Sequence, residues 1–303
     1  MRIFVSGISG FIGRHLAAEL CARGDEVCGF SSDPVAPLSG ARVFEHDLLD
    51  TAGVARLIER CDPEVVVHLA GLSHVGESWK RPGDYYRVNF EGTAALLRAA
   101  AGRRLVFASS AEVYGCVPED EQPLGEDRVL DPRSPYALTK ACAERLALDF
   151  GAVVVRSFNA VGPGQSRHFA LPSFAAQLAA VRRREREAVL RVGDLSPRRD
   201  FVHVADVVDA YRTLAERGEA GTVYNLASGV GTSIAEALDR LLRISGVEAR
   251  VERDESRIRP VDIPALVGDN RKLRALGWTP ARDLDQALDE LWREAVAESA
   301  AVG

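Results

Sequence analysis

Across 303 residues the chain is 47% apolar and 27% charged, the balance of an ordinary globular protein able to bury a large core as one big domain or a two-part unit. A net charge of -6 at pH 7 excludes any global attraction to nucleic acid or an anionic membrane, so phosphate binding must come from local arginines and backbone amides. The N-terminus lacks the basic, apolar and small-residue succession of a signal peptide, no apolar run reaches membrane-spanning length, and the five cysteines are scattered without a Cys-x-x-Cys pair; a reducing cytoplasm is the expected compartment.

The first strand is expected at residues 2–6, and Gly7, Gly10 and Gly13 follow it directly as Gly-Ile-Ser-Gly-Phe11-Ile12-Gly. Glycines between a strand and a helix, here 11–22, let backbone approach a pyrophosphate at a helix N-terminus. The second strand, 26–30, ends in Ser31-Ser32 where a carboxylate would mark NAD. Hydroxyls there can bond a 2'-phosphate and Arg14 adds charge, which favours NADP(H). Asp33 is close enough for a shifted loop to restore the NAD(H) arrangement, so NAD(H) stays open.

Further apolar runs at 43–46, 64–69, 104–109 and 152–158 alternate with helical patterns at 51–60, 84–101 and 135–150. Strands alternating with helices imply right-handed crossovers and a doubly wound parallel sheet, a Rossmann fold, covered on both faces. Ser134-Pro-Tyr136-Ala-Leu-Thr-Lys140 opens the last of these helices. Positions i and i+4 share a helix face, so Lys140 can sit beside the Tyr136 phenol and pull its pKa of about 10 towards neutrality. Such a tyrosine can pass a proton to a carbonyl oxygen while hydride moves on the cofactor side. The bland alternative is two residues on an amphipathic face. It is weakened by Tyr136 being the only tyrosine with a lysine four residues later.

After residue 158 the pattern loosens into a helix near 172–185, with an Arg/Glu-rich stretch read as a solvated face, a strand at 223–227 and a helix at 232–244. A smaller α/β C-terminal lobe is the expectation. The division expected is 1–158, continued by about 199–229, for the dinucleotide and 159–198 with 230–303 for the substrate. The histidines show no ligand spacing and Cys116 has no obvious base, so neither a metal nor a cysteine nucleophile is expected.

These motifs together resemble the extended short-chain dehydrogenase/reductases of the nucleotide-sugar branch, over nearly the whole length. The resemblance implies that Gly7, Gly10 and Gly13 bind pyrophosphate, Asp47-Leu48 meet adenine, and Leu69-Ala70-Gly71 line the cofactor channel. Ser110, four residues before Tyr114 of Val-Tyr-Gly, matches the catalytic Ser/Thr, with Tyr136 and Lys140 as the acid/base pair. Asn89 matches a residue supporting the active-site helix. On the substrate side, Asn159 resembles a sugar-diphosphate contact, and Arg199 and Arg259 resemble a diphosphate clamp, a role that suits paired guanidiniums.

Within the branch, Ser73-His74-Val75, the stretch opened by Val192 and Arg257-Ile-Arg-Pro260 most resemble GDP-mannose 4,6-dehydratases and GDP-4-keto-6-deoxymannose reductases. The short lobe favours a reductase acting with NADP(H) on a GDP-linked 4-keto sugar. Glu112 matches the C5 base of a dehydratase, but Ala111 stands where a polar partner for the leaving hydroxyl is usual. A dehydratase or 4-epimerase holding its cofactor is the first rival, and a silent nucleotide sensor the second. A homodimer through helices near 84–101 and 135–150 is implied by the family; no nucleic acid or membrane partner is expected.

Overall fold

A computed structural model describes residues 1–32, 38–258 and 263–300. The strands are β1 Arg2–Ser6, β2 Glu26–Ser31, β3 Ala41–Glu45, β4 Val65–His68, β5 Arg104–Ser110, β6 Val153–Ser157, β7 Asn159–Val161, β8 Val189–Val192, β9 Arg198–His203, β10 Val223–Leu226, β11 Gly231–Ser233, β12 Arg250–Arg253 and β13 Ala265–Leu266. The α-helices are α1 Phe11–Ala22, α2 Thr51–Cys61, α3 Val75–Lys80, α4 Pro82–Tyr85, α5 Thr93–Ala99, α6 Pro135–Asp149, α7 Ala170–Arg182, α8 Val204–Arg217, α9 Ile234–Ser245, α10 Arg271–Arg274 and α11 Leu284–Ala300.

One seven-stranded sheet runs β10-β6-β5-β4-β1-β2-β3, parallel throughout. The fold is Rossmann-like, α/β and doubly wound, with the strand order reversing between β1 and β4. Its central strands are apolar on both faces because each side packs a helical layer. Ile3 and Val5 face Leu16, Leu20, Tyr211 and Leu214 of α1 and α8. Phe4 between them faces Ile58, Leu96 and Ala147 of α2, α5 and α6. The period of two thus sorts a single strand between two cores.

The lobe has its own core, where α7, α9 and α11 pack Leu178, Leu241 and Leu288 together with Leu190 of β8. Strand β9 pairs with β7, β11 and β13 in a second small sheet. Asp200 of β9 is fully buried and accepts from Ser228 N and Oγ, both at 2.7 Å, Gly229 N at 2.9 Å and Gly268 N at 3.2 Å. It ties the loop after β10 to the lobe. Burial outweighs those donors and raises its pKa to about 6.

The sequence reading needs adjustment. The expected helix at 84–101 is α4, a π-helical segment Tyr86–Gly92 and α5 in succession. The expected strand at 152–158 is β6, and the loosened stretch after it holds β7, which joins the small sheet of β9 instead of the main sheet. Helices α8 and α11 are not among the expected elements, although nine residues of α8 are buried.

Candidate active site

Ligands of open α/β sheets sit beyond the strand C-termini where strand order reverses. Here that crevice lies between the ends of β1 and β4, and it joins the glycine loop to Leu69-Ala70-Gly71. The glycines fit a dinucleotide pyrophosphate, since there is no room for a side chain at Gly7 or Gly13. A Cβ on Gly7, at φ 69°, would stand 2.9 Å from Ala70 N, and one on Gly13 would stand 2.2 Å from Gly7 O. Only glycine permits this approach, and it leaves the helix N-terminus bare towards an anion.

The end of β2 places the candidate selectivity residues together. Ser9 Oγ donates to Ser31 Oγ, Ser32 is exposed, and Arg14 is exposed with Nη2 donating to Ser9 O at 3.2 Å. Asp47 accepts from Leu49 N at 2.9 Å, and Leu48 packs beneath Gly92. Asp33 lies outside the described residues.

Helix α6 carries the proposed acid. Ser134 caps it by accepting from Ala137 N at 3.1 Å, and Pro135 takes the first helical position, where its missing N–H costs nothing. Tyr136 and Lys140 thereby come to the C-terminal end of β5, with Ser110 closing that strand; all three are buried. The Ser110 hydroxyl is within hydrogen-bond reach of the Tyr136 phenol.

The electrostatics correct one expectation. Burial pushes the Tyr136 pKa up to about 12, against the hydrogen bond from Ser110 and with the Glu112 charge also raising it. Lys140 packs on an aromatic ring of β5. Its Nζ lies 4.5 Å from the centroid of the Phe107 ring, and burial lowers its pKa to about 8 against the stabilising charge of Glu144. Desolvation therefore has the largest effect on both groups.

The structure adds residues that motif reading passed over. Glu144 forms a buried ion pair with Arg156 at 2.6 Å and accepts from Ser109 Oγ at 2.5 Å. Arg156 Nη1 donates to the Tyr114 hydroxyl at 2.9 Å, which donates to Asn225 Oδ1 at 2.7 Å. This network pins α6 to β5, β6 and β10 behind the reacting groups. Two signals could have revealed it: Glu144 lies four residues beyond Lys140, and a lone arginine inside the apolar strand β6 demands a partner.

The substrate-side residues are more dispersed. Ser73 is exposed and His74 caps α3, accepting from Glu77 N at 3.0 Å with its ring edge-on to Phe169. Asn159 is half-buried and opens β7. Val192 is buried in the lobe core. Arg199 is buried, with Nη1 donating to the Arg198 and Ile263 carbonyls at 2.9 and 2.7 Å. Arg259 lies outside the described residues.

Comparison with known proteins agrees with this geometry. The family model described as GDP-mannose 4,6 dehydratase matches residues 4–291. The GDP-6-deoxy-D-mannose reductase of Pseudomonas aeruginosa is 35% identical, with 98% of this chain and 99% of the relative covered. A solved structure of RMD from Pseudomonas aeruginosa, complexed with NADPH, superposes with a TM-score of 0.85 at 34% identity, covering 98% of this chain and 99% of the other. The Thermus thermophilus UDP-glucose 4-epimerase, in complex with NAD, gives 0.88 at 30% identity, covering 97% and 99%.

Proposed function

The chain belongs to the GDP-mannose 4,6-dehydratase family of extended short-chain dehydrogenase/reductases, and we propose that within it this protein reduces the C4 ketone of a nucleoside-diphosphate 4-keto-6-deoxyhexose, GDP-4-keto-6-deoxy-D-mannose being the favoured substrate. It is an NAD(P)-dependent nucleotide-sugar enzyme. NADP(H) is favoured and NAD(H) possible, since one solved neighbour holds NADPH and others NAD. The carrying observation is a buried Ser110–Tyr136–Lys140 set beside an alanine, Ala111, where a dehydratase needs a polar partner for the departing hydroxyl.

NADPH, when bound, supplies the hydride for C4. Ser110 donates a hydrogen bond to the keto oxygen and fixes its direction. Tyr136, kept protonated at neutral pH by its burial, passes its proton to the developing alkoxide. Lys140 would hold the cofactor ribose through its ammonium. Gly7, Gly10, Phe11, Ile12, Gly13 and Arg14 form the pyrophosphate turn, Ser31 and Ser32 meet the adenosine end, and Asp47, Leu48, Leu69, Ala70, Gly71 and Asn89 complete the channel. Ser73, His74, Asn159, Val192, Arg199 and Arg259 serve the nucleotide sugar. Residues 1–158 with about 199–229 hold the cofactor and the remainder the substrate, in a cytoplasmic homodimer.

Glu112 supports the second reading, a 4,6-dehydratase, because its charge reaches Tyr136. One experiment separates the two. The protein is given GDP-mannose with oxidised cofactor in deuterated water, then the 4-keto-6-deoxy product with NADPH. Stoichiometric NADPH consumption on the keto sugar, no deuterium at C5, and turnover within roughly tenfold for Glu112→Gln are expected, whereas loss of a required base costs about 10² to 10⁴. Deuterium at C5 that disappears in Glu112→Gln overturns the reductase in favour of the dehydratase.

A further inference from the structure

His68 closes β4 beneath the site and is 2% exposed. Its Nδ1 lies 2.6 Å from Ser6 Oγ and its Nε2 lies 2.9 Å from Thr93 Oγ1. The neighbouring bonds fix where each proton sits. Ser6 Oγ already accepts from Leu69 N and Ala70 N, both at 3.2 Å, so its own proton is directed at Nδ1. Thr93 gives its proton to the Asn89 carbonyl at 2.6 Å, so its oxygen must accept from Nε2. Both ends require the same ring, bare at Nδ1 and protonated at Nε2.

The chain of bonds does not stop there. Asn89 lies in the π-helical segment, a geometry that recurs at functional sites. Its Oδ1 accepts from Leu72 N at 2.8 Å, and its Nδ2 donates to Leu72 O at 3.0 Å and to Thr139 Oγ1 at 3.2 Å. Thr139 in turn donates to the Tyr136 carbonyl at 2.7 Å. One side of His68 thus holds the turn after β4, and the other holds the helix that carries the acid. A histidine satisfied merely for its own burial has no reason to bridge these two walls.

We propose that His68 is a positioning residue that, as a permanently neutral Nε2–H tautomer, orients the Leu69–Ala70 floor from one ring nitrogen and the Asn89 carbonyl and helix α6 from the other. A proton on Nδ1 would oppose the Ser6 hydroxyl and set a second cation near Lys140. Burial and the Lys140 charge push the His68 pKa down to about 3, consistent with a ring that stays neutral wherever the enzyme works.

The kinetic arm of the test rests on the reductase reading; the other two arms do not. In nitrogen-15 spectra of the wild type, His68 should show a protonated Nε2 and a bare Nδ1 throughout roughly pH 5 to 9. Titration in that range, or a proton on Nδ1, overturns the proposal without any variant having to fold. The substitutions should split the two roles. His68→Asn keeps an acceptor towards Ser6 and loses the Thr93 donor; it should lose about tenfold in kcat, the effect of one hydrogen bond, with the NADPH Kd within about threefold. His68→Gln keeps the donor and should weaken NADPH about tenfold with kcat within about threefold. Equal losses of both quantities in both variants, or no loss in either, overturn the assignment. A wild type that binds NADPH with the expected ring state but reduces no keto sugar sinks the reductase reading and leaves the positioning role standing.

Discussion

Tyr136 and Lys140 show what residue spacing conveys and what it omits. Their separation of four placed both at one end of one helix, as expected, yet the direction of the tyrosine's shift is opposite to the one spacing suggested. Burial sets that direction, and burial is a property of the packed chain. A phenol raised to about 12 suits an acid that must be protonated at neutral pH. Tyr136→Phe keeps the ring and removes the proton, so turnover should fall by roughly 10² to 10⁴ while substrate affinity hardly moves; near-normal turnover would remove Tyr136 from the mechanism. Lys140 makes a separate pH prediction. Its pKa is lowered to about 8, so the ammonium exists below that pH and is lost above it. NADPH should bind most tightly below about pH 8 and progressively less tightly above, by at most about tenfold per pH unit for one proton. Fluorescence titration of NADPH against pH measures this, and Lys140→Met should flatten the curve. A wild-type curve as flat as the variant's would show that the lysine proton is not linked to binding.

Elements were legible where periodicity and chemistry coincided. The strands of the cofactor half are apolar on both faces, and α6 announced itself through its Ser-Pro cap. Helix α8 was harder to see because it follows β9 without a break, with His203 accepting from Ala205 N at 3.1 Å as its cap. The π-helical segment differs from an α-helix by one residue in its backbone hydrogen-bond step, which apolar spacing over seven residues does not reveal. At the end of β2 the sequence offered an argument the structure sharpens. Ser31 is engaged by Ser9, whose carbonyl also receives Arg14, so hydroxyl and guanidinium meet within one loop pair. Ser31→Asp would place a carboxylate against a 2'-phosphate and should weaken NADPH far more than NADH. If the wild type prefers NADH and the variant leaves that preference unchanged, selectivity is set by another group.

At the scale of the whole molecule, the proposed cofactor and substrate sites do not account for every apolar surface. Trp79 at 38% exposure, Tyr86 at 40% and Leu138 at 40% project from α3, the π-helical segment and α6. These helices pack against one another. Apolar side chains scattered singly need no explanation, whereas exposed ones on neighbouring helices are the natural place to test the proposed subunit contact. The same helices carry Asn89 and Tyr136, so a partner pressed on them would stiffen the wall from which the acid is presented. The homodimer proposed above therefore makes a specific demand of this face. Sedimentation of the wild type should give a dimer, and Leu138→Glu, which sets a charge into the contact without touching the core, should give a folded monomer with reduced turnover. Val129→Glu, at a valine 85% exposed in the segment before α6, is the control and should remain dimeric. A monomeric wild type, or a Leu138→Glu variant that still sediments as a dimer, would show that subunits do not meet here.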